Sequence, residues 1–254
     1  VRQDIMLKIS ECEANEHLEL NLSECSISNA DCTSFAGELR RLPNLQVLLL
    51  NRNDIGDDGI AAIAEAIGEM KKLRTLHLAE NRIGDDGIAT LSEQLLKLTG
   101  LQRLYLNSNR IGDAGATALS PALRGNNTLS ILRLDGNHVS DSGMESLAEN
   151  LCFLVKMTAL RLDDNHIGSA GAKALSAQLR HMSKLESINL DGNHVGDDGL
   201  AALAQQLHYL PILAMLQLDN NQIGALGVRA LCDALCYRPP QNLVVLTGVS
   251  LNDH

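Results

Sequence analysis

The chain has 254 residues, 45% of them hydrophobic but only 2% aromatic, and carries a formal net charge of −10. Its length and apolar share exclude a disordered chain, and the shortage of aromatics requires a core of Leu, Ile, Val and Ala, a composition common in stacked repeats. The acidic balance argues against a nucleic-acid binder, which needs a basic face, and leans towards a basic partner.

No apolar run approaches the roughly 20 residues of a membrane span, and no basic start followed by an apolar stretch marks a signal peptide. The six cysteines lack zinc-type spacing, so a reducing, cytoplasmic setting is expected. Cys232 and Cys236, four apart in a predicted helix, read as small apolar fillers, with a redox or metal role as the alternative. The glycosylation-type triplets Asn21-Leu22-Ser23 and Asn126-Asn127-Thr128 would matter only in a secreted chain. A start at Val1 rather than Met fits a piece of a longer chain or a processed product.

In chain order, residues 1–16 (VRQDIMLKISECEANE) predict an acidic helical cap over a first strand at HLELNLSECSI, where Leu20 and Leu22 open a frame. That frame then recurs without interruption. Asn53, Asn81, Asn109, Asn137, Asn165, Asn193 and Asn221 are each 28 residues apart, and an apolar triplet precedes each at fixed offsets, such as Leu101, Leu104 and Leu106 before Asn109. The pattern is LxxLxLxxN/CxL, with Cys25 in the asparagine position of the first unit.

The LxL alternation predicts a short strand whose leucines turn inward. The Asn follows where the strand ends and backbone groups lose their ladder partners; a buried carboxamide can donate and accept there, within its own unit and to its neighbour. Glycines at 59, 87, 115, 143, 171, 199 and 227 hold one unit position, where a helix must lie close to the next unit. Asp57, Asp85, Asp113, Asp141 and Asp197 read as helix N-caps. Each predicted helix then carries apolar residues four apart, from Ile63 and Ile67 to Leu231 and Leu235.

No unit can bury its apolar face alone, so the units must stack. Strands stack at about 4.8 Å and helices at roughly 10 Å, and the unequal widths bend the stack. The expected fold is an α/β right-handed leucine-rich repeat solenoid, or horseshoe, with a parallel sheet on the concave face and helices on the convex face. It forms a single domain over 1–254, with eight 28-residue repeats over 17–240 and a last strand and cap over 241–254.

The outward strand positions vary freely. The first supplies Glu19, Val47, Thr75, Arg103, Ile131, Ala159, Ser187 and Met215; the third supplies Asn21, Leu49, His77, Tyr105, Arg133, Arg161, Asn189 and Gln217. Arg103 and Tyr105, with Ile131 on one side and His77 on the other, have the composition of an interface hot spot. Val47 and Leu49 form a smaller apolar patch. Asp135, Asp163, Asp191 and Asp219 form an acidic ladder, and Arg133 and Arg161 lie two residues before two of them, which predicts an alternating strip. That strip is either a self-compensating surface or an electrostatic site for a charged ligand. His138, His166 and His194 form a second ladder, read as solvated loop residues with a divalent metal site or pH sensor as the alternative.

With strand, Asn and helix at an unbroken 28, the chain resembles the ribonuclease-inhibitor-type leucine-rich repeats over residues 17–240. Stretches such as NRIGDAGATALSPAL are most similar to the C-terminal sensing arms of NOD-like receptors. That resemblance implies a recognition module of innate immunity, binding a protein or microbial ligand on its concave face. GTPase activators of Ran use the same repeat class, so a regulatory scaffold similar to them is the alternative. No nucleophile beside a base, no paired carboxylates in unlike environments and no phosphate loop occur at a supporting spacing, so neither an enzyme nor a cofactor is expected. Oligomeric state is left open.

Overall fold

The structure, a computed structural model, describes residues 2–237 and 243–248. Every unit begins with a three-residue strand: β1 (Glu19–Asn21), β2 (Val47–Leu49), β3 (Thr75–His77), β4 (Arg103–Tyr105), β5 (Ile131–Arg133), β6 (Ala159–Arg161), β7 (Ser187–Asn189) and β8 (Met215–Gln217). With β9 (Val245–Thr247) they form one parallel sheet in sequence order. The register is constant: Leu76 lies beside Leu104 and Leu104 beside Leu132, one 28-residue step at a time. Only the last step differs, since Met215 pairs with Val245, 30 residues on. The remainder of the expected C-terminal cap, at 241–242 and 249–254, lies outside the described residues.

After an initial helix, α1 (Gln3–Ala14), each strand is followed by one helix: α2 (Asn29–Leu39), α3 (Asp57–Glu69), α4 (Asp85–Leu95), α5 (Asp113–Arg124), α6 (Asp141–Leu151), α7 (Ser169–Leu179), α8 (Gly196–Gln206) and α9 (Ala225–Tyr237). Neighbouring helices pack side by side, and α1 lies against β1 and α2, burying Ile5, Ile9 and Cys12. One continuous core fills the space between sheet and helices, built from the central strand leucines and the inward helix positions such as Ile63, Ile67, Leu91 and Leu119. The α/β leucine-rich solenoid expected from the period is the fold observed. Among the described residues no helix is long and apolar enough to cross a membrane.

The asparagines link the units. Asn137 donates Nδ2 to the carbonyls of Leu134 in its own unit and Leu106 in the preceding one, both at 3.0 Å, and its Oδ1 accepts the Ile111 N–H at 3.0 Å. The same triangle recurs at Asn109, Asn165 and Asn193. The residue just before each asparagine adopts a left-handed backbone, at φ 54° for Ser108 and 63° for Gly136. This turns its N–H to the next unit: Ser108 donates to the Asp135 carbonyl at 2.7 Å.

The aspartates expected as N-caps act differently. Asp85 is the first residue of α4, whose N-cap is Gly84, and its carboxylate reaches across to the next unit, where Oδ1 accepts the Gly112 N–H at 2.6 Å. Asp57 does the same for Gly84, Asp113 for Ser140, Asp141 for Gly168 and Asp197 for Gly224. A carboxylate on one helix therefore caps its neighbour, satisfying an otherwise orphaned donor and meeting the positive end of that helix. Burial pushes the Asp113 carboxyl up, but the Ser140 and Ser142 hydroxyls and the Ser140 and Gly143 N–H groups outweigh it and hold the group below the usual carboxylate range. The recurring glycine leaves room for this carboxylate: a Cβ at Gly115 would stand 2.6 Å from Asp85 Oδ1 and 2.9 Å from Ile111 Cγ2.

Two units reach across without a carboxylate: α2 uses Asn29, whose Oδ1 accepts the Gly56 N–H at 2.7 Å, and α7 departs further. There Ser169 stands in the carboxylate's place and donates its hydroxyl to the Val195 carbonyl, while Gly196 turns left-handed at φ 62° and donates its N–H to the Asn221 carbonyl instead. The chain keeps its donors satisfied by a different route, and glycine permits it.

The cysteines are free thiols. Burial pushes Cys32 up to about 12, the mark of an inert core filler. Cys232 and Cys236 were expected as fillers as well, but both are exposed, because Leu231 and Leu235 take the inward positions of α9.

Replacing Asn137 with Ala strands the buried Ile111 N–H, at a cost of about 1–3 kcal/mol, while the Leu106 and Leu134 carbonyls each lose one bond and keep another, from Asn109 and Asn165. Asn137→Ala is therefore expected to lose about 1–3 kcal/mol in urea unfolding, whereas a change under about 0.5 kcal/mol, typical of surface sites, would contradict this role.

Candidate functional site

The sheet leaves its outer face open, and the constant register lines up the third strand residues as His77, Tyr105, Arg133 and Arg161 on four successive strands. The row follows from the 28-residue period, because residues one period apart must be sheet neighbours. His77 and Tyr105 stack, ring centroids 4.5 Å apart and 17° between planes. Arg103 and Ile131, neighbours in the first-position row, lie alongside. Arg103 Nε donates to Thr75 Oγ1 at 2.9 Å, which buries Thr75 and fixes the guanidinium stem over it. The residues singled out as a hot spot are thus brought together.

The acidic ladder does not alternate as expected. Arg133 grips Asp135 with both ends of its fork, at 2.9 and 2.7 Å, and Asp135 is only 7% exposed. Arg161 makes no such ion pair with Asp163 among the described residues; the strip is compensated on one rung only. Asp163 is left half-buried beside a second carboxylate, its Oδ1 without a partner. Burial first and the charge of Asp135 second push its carboxyl up to about 6. Asp191 is also raised, mainly by burial, although its Oδ1 accepts the Asp219 N–H at 2.6 Å. Asp219 itself is exposed. On the other side of the row, burial and then the charge of Arg133 push the His77 imidazole down, and its Nδ1 has no partner.

The second ladder lies just beyond the asparagines. His138, His166 and His194 stack with centroids 5.8 and 6.4 Å apart, all exposed, and the Gln222 amide lies 2.9 Å from His194 Nδ1. Parallel rings aim their nitrogens side by side rather than at a common point, and among the described residues no group of His, Cys, Asp or Glu is arranged to hold a metal.

Sequence reasoning missed two polar groups of this face. Asn107, in the ladder position before Asp135, is buried with Oδ1 unpartnered, and Asn189 is buried while its Oδ1 accepts the Asp191 N–H at 2.9 Å. Neither residue type signals burial, so only the packing reveals them.

The sequence pattern of leucine-rich repeats matches residues 41–64, 69–92, 97–120, 125–148, 154–176, 181–204 and 215–232. The chain belongs to the leucine-rich repeat family. No curated protein matches its sequence. Among solved leucine-rich structures it is similar to an internalin C2 of Listeria monocytogenes at 20% identity and TM-score 0.60, over 95% of this chain and 91% of that one. It is also similar to a chain in an octameric complex of Latrophilin 3, Unc5D and FLRT2, at 20% identity and TM-score 0.53, over 90% of this chain. A plant ice-binding protein aligns with 74% of the chain at 18% identity and TM-score 0.47. The chain spans 52% of the ice-binding protein and 59% of the matched chain of the complex. The likenesses to the internalin and to the chain of the complex speak to the fold.

The raised Asp163 carboxyl has a consequence for stability. The folded leucine-rich repeat keeps that proton up to about pH 6, whereas the unfolded chain releases it near about pH 4. The native state thus binds more protons across that window, and stability falls as pH rises through it, with the penalty fully present above pH 6. Asp163→Asn keeps the shape without the charge. It is expected to stabilise the fold by about 1 kcal/mol at neutral pH, a partial value because some water reaches the group, and by nothing below about pH 4. Urea unfolding at the two pH values checks this; equal effects at both would contradict it.

Proposed function

We propose that this leucine-rich repeat is a recognition module that binds a protein or microbial ligand through the concave sheet face, centred on His77, Tyr105, Arg133 and Arg161. Leucine-rich repeats imply protein–protein interaction, and the pairings within this face support that use of it here. The carrying observation is the continuous row on the open sheet face, in which His77 and Tyr105 stack with ring centroids 4.5 Å apart and Arg133 and Arg161 follow on the next two strands. An aromatic platform beside guanidinium groups, on a face that no helix covers, has the composition of an interface hot spot.

Each contact residue then has a role. Tyr105, held flat against His77, offers a rigid apolar platform. Arg161, without a carboxylate partner among the described residues, offers its fork to a carboxylate or carbonyl of the partner. Asp163 and Asp191 offer acceptors to a basic group, and Asp219 and Ile131 extend the surface on either side. Arg133 serves mainly to neutralise Asp135, and Arg103 to hold its place over Thr75. The resemblance of the repeats to NOD-like receptor arms extends the reading to a cytoplasmic sensing arm of innate immunity.

A double variant, Tyr105→Ala with Arg161→Ala, leaves the core and the Arg133 to Asp135 pair untouched. Proteins retained by the wild-type chain from a cytosolic extract are expected to be lost with it, at about 100-fold weaker binding or more, and kept with the convex-face control Lys173→Ala. Thermal unfolding of both should stay near wild type. Equal retention by the double variant would overturn the assignment of the face.

A further inference from the structure

On the edge where the strands begin, the segment leading into β3 carries Lys71, Lys72 and Arg74 within four residues, around buried Leu73. They line an open cleft of about 330 Å³ together with Gln46, Gln102 and Gly100. The neighbouring units supply the space. One period on from Lys72 stands Gly100, with nothing within 4 Å of where its Cβ would be. One period either side of Arg74 stand Gln46 and Gln102, two amides and no carboxylate.

The cleft is held by backbone. The Gln46 carbonyl accepts the N–H groups of Arg74 and Thr75 at 2.8 and 3.0 Å, and the Arg74 carbonyl accepts those of Gln102 and Arg103 at 2.8 and 2.9 Å. Lys71 Nζ is tied to the Gly68 carbonyl at 2.6 Å, while Lys72 and Arg74 are exposed. None of the three forms an ion pair among the described residues, and Glu69, the nearest carboxylate along the chain, pairs with none of them. By contrast Arg40, Arg41, Arg52, Arg82, Arg133 and Lys173 each hold a carboxylate, and among the described residues the other unpaired cations, such as Arg103 and Arg161, line no such cleft together. In a chain of net charge −10, three uncompensated cations around one concavity leave a local demand for negative charge.

We propose that this cleft binds a phosphomonoester. Two ammonium groups and one guanidinium fork suit a dianionic tetrahedral group better than a single carboxylate, and the flanking amides can donate to its remaining oxygens. The volume lies at the lower end of small-molecule pockets, with room for the phosphate and the group that carries it. The site stands apart from the sheet-face reading and does not depend on it.

The test is a titration of the isotope-labelled protein with phenyl phosphate at fixed ionic strength and neutral pH, following backbone amides by NMR. Saturable shifts are expected at Lys72, Gly100 and Gln102. Gly100→Glu, which places a carboxylate in open space beside Lys72, and Lys72→Gln with Arg74→Gln should each weaken binding at least about tenfold. Lys184→Gln, at the same position of another unit beside Glu186, should leave it unchanged. Absence of saturation, shifts in the cleft variants as large as in the wild type, or equal shifts with chloride would overturn the proposal.

Discussion

Everything in this molecule depends on a buried carboxamide that bonds to two units at once. A strand of three residues cannot hold a sheet by itself, and each turn away from a strand leaves two carbonyls and an N–H inside the protein. The asparagine at the end of each strand takes all three, one carbonyl from its own unit and the rest from the unit before. Such bonds are worth little when exchanged for water but are costly to leave unmade. The ladder therefore ties each unit to the one before it.

Two further ladders run along it. The left-handed residue before each asparagine sends its N–H forward, and in five units an aspartate at the head of the helix caps the next helix in line. Stability in this arrangement is a property of neighbours rather than of units, as expected for a quasi-one-dimensional stack. The outer sheet face takes no part in any of these bonds, so it is free to carry side chains of any chemistry.

The fold was legible because the period itself is a physical statement. Equal spacing of Leu104, Leu132 and Leu160 requires equal register, and the structure follows. The contact rows were legible for the same reason, since residues one period apart become neighbours. Side-chain choices within a row were not. Arg133 and Arg161 occupy equivalent positions, yet only Arg133 grips its aspartate; Asp57 and its relatives cap the following helix rather than their own; Cys232 and Cys236 face outward. Each of these depends on where a few atoms of the next unit lie, which a one-dimensional pattern does not carry.

The most direct measurement of the central claim is native-state hydrogen exchange at the amides that donate to the asparagines, those of Ile83, Ile111, Val139 and Ile167. They sit in loops, outside any strand or helix. If the carboxamides join the units, these amides exchange as slowly as those of Leu104 and Leu132 within the sheet. Exchange at the rate of an exposed loop would contradict the account.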